Sequence, residues 1–185
     1  MRIVIAGVLG GIAMFIWASI AHVATPLATV GLKPLPNGAA TVAALHQQLG
    51  DQSGLYFFPY ATGSDSKSMA AQEALVKTGP SGLLAYQGPV ADGTFGRQLA
   101  VEFALEVVES LLTAAVLVYA ATFGARMGLA LAIGVIAATA TNLSYWNWYG
   151  FSDAYTLANA FTELVKFVVA GAVIALVLRG RAKAV

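Results

Sequence analysis

Gln98-Leu99-Ala100-Val101-Glu102-Phe103-Ala104-Leu105-Glu106-Val107-Val108-Glu109 opens an apolar run that continues to Phe123. The run is long enough to cross ~30 Å of hydrocarbon at ~1.5 Å per helical residue. Only three acids interrupt it. Glu102, Glu106 and Glu109 stand at i, i+4 and i+7, which puts them on one stripe of a helix. A charged side chain at a bilayer's centre costs roughly 2.5–3.5 kcal/mol on an insertion scale. The apolar residues of the run do not return that for three acids. The stripe must therefore turn inward, toward partners or water.

Three further runs complete the pattern: Ile3 to Val23, Met127 to Trp146, and Tyr155 to Leu178. The last carries a matching stripe, Asn159, Glu163 and Lys166, at the same spacing. With both runs going outside to inside, Glu102 pairs in depth with Asn159, Glu106 with Glu163, and Glu109 with Lys166. Lys166 is the expected counter-ion of Glu109 and also reaches Glu163 at i−3. Asn142 from the third run and His22 from the first extend the polar cluster, which sits in the outer half of the helical assembly. Two readings stay open: an ion-pair network that fixes helix register, or a site for a cation, a proton or a small polar ligand.

Composition supports the membrane class. Of 185 residues, 58% are hydrophobic and 10% charged, against about 25% charged in soluble domains. Mean hydropathy is +0.74. A formal net charge of +1 offers no basic surface for a phosphate backbone, so no nucleic-acid partner is expected. The chain has no cysteine, which excludes disulfides, thiolate zinc sites and iron–sulfur clusters. No Glu-x-x-His unit is present, and Lys166 would repel a metal ion. No metal or cofactor, and no catalytic residue, is therefore expected.

The basic residues orient the chain. Arg2, Arg126, Arg179, Arg181 and Lys183 crowd into short stretches, while Lys33, Lys67, Lys77 and Arg97 are spread over a long one. Their density predicts cytoplasmic N- and C-termini. The first run is read as an uncleaved anchor rather than a signal peptide. Turns are expected at Gly124-Ala125-Arg126 and at Trp146 to Asp153. Trp146, Trp148, Tyr149 and Tyr155 would form an aromatic belt at the outer interface. Small residues at Gly7 and Gly11, at Gly124 and Gly128, and at Ala170 to Ala175 permit close helix contact, with Gly7 and Gly11 assigned to internal packing.

Residues 24–97 differ in kind. They hold all six prolines and ten of the nineteen glycines, yet carry periodic apolar pieces. Thr41 to Leu49 and Ser66 to Thr78 read as short helices. Gly54 to Pro59 and Gly82 to Gln87 read as two paired strands. So small a piece has a thin core.

Three stretches carry a family resemblance: Gly31-Leu32-Lys33-Pro34-Leu35-Pro36-Asn37, Gly54-Leu55-Tyr56-Phe57-Phe58-Pro59 and Ser144-Tyr145-Trp146-Asn147-Trp148-Tyr149-Gly150-Phe151. They resemble a group of uncharacterised bacterial four-span inner-membrane proteins. The resemblance implies a bacterial inner-membrane setting and no activity. The layout of a long first outer loop and a short third one is also similar to claudin-type proteins, whose paired first-loop cysteines are absent here.

The expectation is thus an all-α membrane protein, a four-transmembrane-helix antiparallel bundle with a small α/β extracytoplasmic insertion between helices 1 and 2. Residues 1–23 form helix 1, residues 24–97 the insertion, residues 98–178 helices 2–4, and residues 179–185 a basic cytoplasmic tail. The expected role is a non-enzymatic accessory or scaffold subunit of a membrane complex, or a small homo-oligomer. Its partners would be membrane lipids and other membrane-protein subunits or itself. The alternative is a small transporter or channel for protons, cations or a small polar ligand, using the Glu/Lys cluster.

Overall fold

The computed structural model describes residues 1–90 and 93–179. It is mostly helical, and the chain separates into two compact units. One comprises Met1–Leu32 and the chain from Thr94 onward; the other is Lys33–Gly93. Within the expected tail only Arg179 is described; Arg181 and Lys183 lie outside the described residues.

The first unit holds four long helices: α1 (Arg2–Val23), α4 (Phe95–Leu117), α5 (Phe123–Tyr149) and α6 (Asp153–Val177). Three of them, α1, α5 and α6, are long and apolar enough to cross a membrane. The fourth, α4, has the length but carries Glu102, Glu106 and Glu109. Around the central α6, both α1 and α5 are packed, and α4 lies chiefly against α1. Ala6, Met14, Ala114, Leu117, Ala130, Phe167, Ala170 and Ile174 form the buried core.

Small residues set how closely these helices approach. A Cβ at Gly7 would lie 2.8 Å from Leu111 Cα, and one at Gly11 would lie 2.7 Å from Val107 Cα. The backbones of α1 and α4 therefore touch along a glycine face, as expected for internal packing. Gly171 does the same for α6 on α5, where a Cβ would collide with Ala130. Gly124 and Gly128 do not act this way: both face open space. Phe15 and Phe103 meet edge-on at 5.4 Å between α1 and α4. The Trp17 Nε1–H donates to the Thr162 carbonyl at 3.0 Å, pinning α1 to α6.

Two turns fall elsewhere than expected. The α4–α5 break lies at residues 118–122, and Gly124-Ala125-Arg126 already belongs to α5. The cause is Thr122, whose side chain accepts from the Ala125 N–H at 3.1 Å and starts the helix. At the other end α5 continues through the aromatic stretch to Tyr149. It stops at Gly150, which takes the left-handed conformation at φ 70° that ends helices. Ser152 then caps α6 by accepting from the Tyr155 N–H.

Residues 26–31 belong with the helices rather than with the insertion. A 3-10 turn, Pro26–Ala28, follows α1. Gly31 sits at φ 80° against Ser152 and Tyr155, with no space for a Cβ. The Ser152 hydroxyl donates to the Gly31 carbonyl at 3.2 Å.

The second unit contains α2 (Gly38–Leu49), β1 (Gly54–Phe58), α3 (Ser66–Thr78) and β2 (Gly82–Tyr86). The strands pair antiparallel, Gly54 opposite Tyr86 and Phe58 opposite Gly82. Neither α2 nor α3 has a buried residue, so polar ties do much of the holding. The Tyr86 hydroxyl donates to the Gly50 carbonyl at 2.8 Å, and the Tyr56 hydroxyl to that of Gln52 at 2.8 Å. Gln72 of α3 accepts from the Ala61 N–H at 2.8 Å and donates to the Pro59 carbonyl at 2.7 Å.

Candidate functional site

The spacing of acids along α4 and of Asn159, Glu163 and Lys166 along α6 brings the two helices' polar groups together at one level. Lys166 Nζ lies 3.1 Å from Glu109 and 3.1 Å from Glu163. The lysine is 5% exposed, while the carboxylates keep 39% and 35% of their side-chain surface. The arrangement is a clamp: one ammonium from α6 shared by its own helix and by α4. The Lys166 ammonium also lies 5.7 Å from the centroid of the Phe167 ring.

Glu106 stands one turn before Glu109's level and is 1% exposed. Neither of its oxygens has a hydrogen-bond partner among the described residues. Ser110, four residues on and fully buried, has no partner for its hydroxyl either. Both face inward from α4, where α1 presents Gly10 to the serine.

The other expected members of the cluster are placed differently. Glu102 is exposed and lines a cleft of about 380 Å³ between α1 and α4, together with Phe15, Ser19, His22, Gln98 and Leu99. His22 shares that cleft and donates its Nδ1–H to the Ala18 carbonyl at 2.9 Å. Asn142 and Asn159 turn back on their own helices, donating to Ala138 and Tyr155 carbonyls at 2.9 Å each. Glu102 and Asn159 therefore do not meet in a polar contact among the described residues.

The aromatic group lies around the α5–α6 turn. The Trp146 Nε1–H donates to Asp153 at 2.7 Å. Tyr145 packs on Tyr149 and Phe151, and Phe151 packs on Tyr155. Trp148 is 73% exposed.

One residue was read as a topology charge in a turn and does far more. Arg126, in the first turn of α5, is 2% exposed. Its Nε–H donates to Leu117 and Ala120 carbonyls at 3.3 and 3.1 Å, and its Nη1 to Ala175 and Leu178 carbonyls at 3.5 and 2.9 Å. Leu117 ends α4, Ala120 lies in the α4–α5 break, Ala175 is in the last turn of α6 and Leu178 is its C-cap, so the guanidinium gathers carbonyls from both helix ends, where intrahelical donors run out. The guanidinium satisfies them and opposes the negative helix ends.

No group of three or more His, Cys, Asp or Glu able to hold a metal ion occurs among the described residues. No family model, curated protein or solved structure matches this chain.

Proposed function

We propose that this chain is a four-span integral membrane protein of a bacterial inner membrane, acting as a scaffold subunit within a membrane complex or a homo-oligomer. The observation that carries the reading is the outer face of α4. By composition α4 is the least apolar of the long helices, yet its acids turn toward α1 and α6 or to the cleft at its start. Val101, Leu105, Val108, Leu112 and Val116 point outward, between 46% and 65% exposed. Such a continuous apolar surface needs lipid or another helix against it. The outer faces of α1 and α5 are apolar in the same way, with Ile5, Ile12 and Ile16 on one and Leu131, Val135 and Ile136 on the other. In this reading both termini are cytoplasmic and the Lys33–Gly93 unit is extracytoplasmic.

The clamp formed by Lys166 supports a rigid frame, since it spends the lysine on two helices at once. The role is tested by purifying the full chain in mild detergent and measuring mass by light scattering. A higher-order species, or a co-purifying membrane protein stable to washing, is expected. A monodisperse monomer without a partner would count against the scaffold role. Cysteines placed singly at Ser66 and Thr122 test the topology. Only the first is expected to react with an impermeant thiol reagent in intact cells.

A further inference from the structure

We propose that Glu106, with Ser110, forms an interior binding site for a monovalent cation, either a proton or a sodium ion, reached from the cleft between α1 and α4. This goes beyond the scaffold role, because it concerns occupancy and not passage.

The first argument is charge. Among the described residues, the charged groups that act on Glu106 are Lys166 and Glu163 of α6 with Glu102 and Glu109 of its own helix. Lys166 is already shared by Glu109 and Glu163 at 3.1 Å each. Two carboxylates thus claim one ammonium before Glu106 is counted. An isolated carboxylate in an apolar interior is strongly disfavoured unless a positive charge joins it.

The second argument is unmet valence. Both oxygens of Glu106 and the hydroxyl oxygen of Ser110 are buried without a partner among the described residues. The two side chains are 1% and 0% exposed. One helical turn separates them, so their oxygens share one face of α4. A carboxylate and a hydroxyl are hard oxygen donors, suited to a proton or an alkali cation.

Room and access narrow the ligand further. Gly10 of α1 approaches so closely that a Cβ there would collide with Ser110 Oγ and crowd Ile174 of α6. The serine hydroxyl is therefore packed closely by α1, which favours a small occupant over a large one. The nearest open cleft is at the start of α4, where Glu102, one turn before Glu106, lines it with His22, Ser19 and Gln98. Glu102 makes the mouth attractive to cations.

The test uses the full chain in nanodiscs of zwitterionic lipid. Infrared difference spectra in light and heavy water report a protonated carboxyl group. Retention of radioactive sodium, with potassium as competitor, reports the metal ion. For a proton, the carboxylic-acid band is present near neutral pH, disappears in Glu106→Gln, persists in Glu109→Gln and shifts in Ser110→Ala. For sodium, one ion per chain is retained, lost in Glu106→Gln and weakened several-fold in Ser110→Ala. Glu106→Asp, which keeps a carboxyl group, restores whichever signal the native chain shows and controls for misfolding. Absence of both signals from the native chain, or their survival in Glu106→Gln, overturns the site.

Discussion

Lys166 Nζ sits 3.1 Å from Glu109, across the boundary between α6 and α4, and is 5% exposed. The contact is the main polar tie between two helices that otherwise meet over a short stretch. Lys166→Met removes the ammonium and leaves Glu109 and Glu163 facing each other without it. Breaking a fully buried pair costs about 3–5 kcal/mol. Here the carboxylates keep over a third of their surface, so a loss on the order of 1–3 kcal/mol is expected. Unfolding in mixed micelles titrated with a denaturing detergent measures it. Adding Glu109→Gln to Lys166→Met should recover part of the loss, and no change in the single variant would remove the clamp from the account.

Arg126→Leu should be at least as damaging. It strips hydrogen bonds from carbonyls of Leu117, Ala120, Ala175 and Leu178 together. A hydrogen bond to a charged group contributes about 1.5–3 kcal/mol, and the four here do not add fully. Arg126→Lys should restore little, because an ammonium lacks the planar fork that reaches two helix ends. Equal stability of the lysine variant and the native chain would refute this bridging role.

Gly11→Ala should loosen α1 from α4, since the new Cβ would lie 2.7 Å from the Val107 backbone. Overpacking of this kind costs about 1–3 kcal/mol. Gly128→Ala is the control, because nothing lies within 4 Å of a Cβ there, and Ala is the better helix former. Amide hydrogen exchange should rise along α1 in the first variant and stay flat or fall in the second. The reverse order would contradict the glycine contact.

Asp65 gives the second unit a dependence on acid. Its Oδ1 accepts from the Ser68 N–H at 2.8 Å at the start of α3, and that bond holds its carboxyl below the ordinary value of 3.8. A depressed folded-state value stabilises the unit above the unfolded value and ceases to as pH falls through the folded one. The Ser68 amide resonance should therefore move in acid, with early fraying of α3. Asp65→Asn, which caps without titrating, should flatten that response. An unchanged titration in the asparagine variant would assign the effect to another group.

Periodicity made much of this architecture legible. Ser66 to Thr78, the two strands and the four long helices all announce themselves through apolar spacing, Gly–Pro breakers and caps. The i, i+4, i+7 spacing also located the meeting of Glu109 with Lys166, because helical geometry alone puts equal spacings at equal depth. The expected meeting of Glu102 with Asn159, and the place of Asn142 in the cluster, failed for a local reason. Asn159 and Asn142 satisfy themselves on the preceding turn of their own helices, an option open to short amides and closed to glutamates. Arg126 was invisible as a helix tie because its acceptors are backbone carbonyls, which no side-chain pattern reveals. A lone arginine beside a tight interhelical break was the available signal. Ser110 was hidden likewise: its importance comes from Gly10 arriving opposite it.

Arg126 also orders events in time. It is made early, in the first turn of α5, but two of its acceptors, Ala175 and Leu178, come at the far end of α6. While the ribosome is still building α6, the arginine's grip is incomplete. The clasp closes only when the last turn emerges, so a chain stopped short of Ala175 keeps an unlatched arginine among apolar helices.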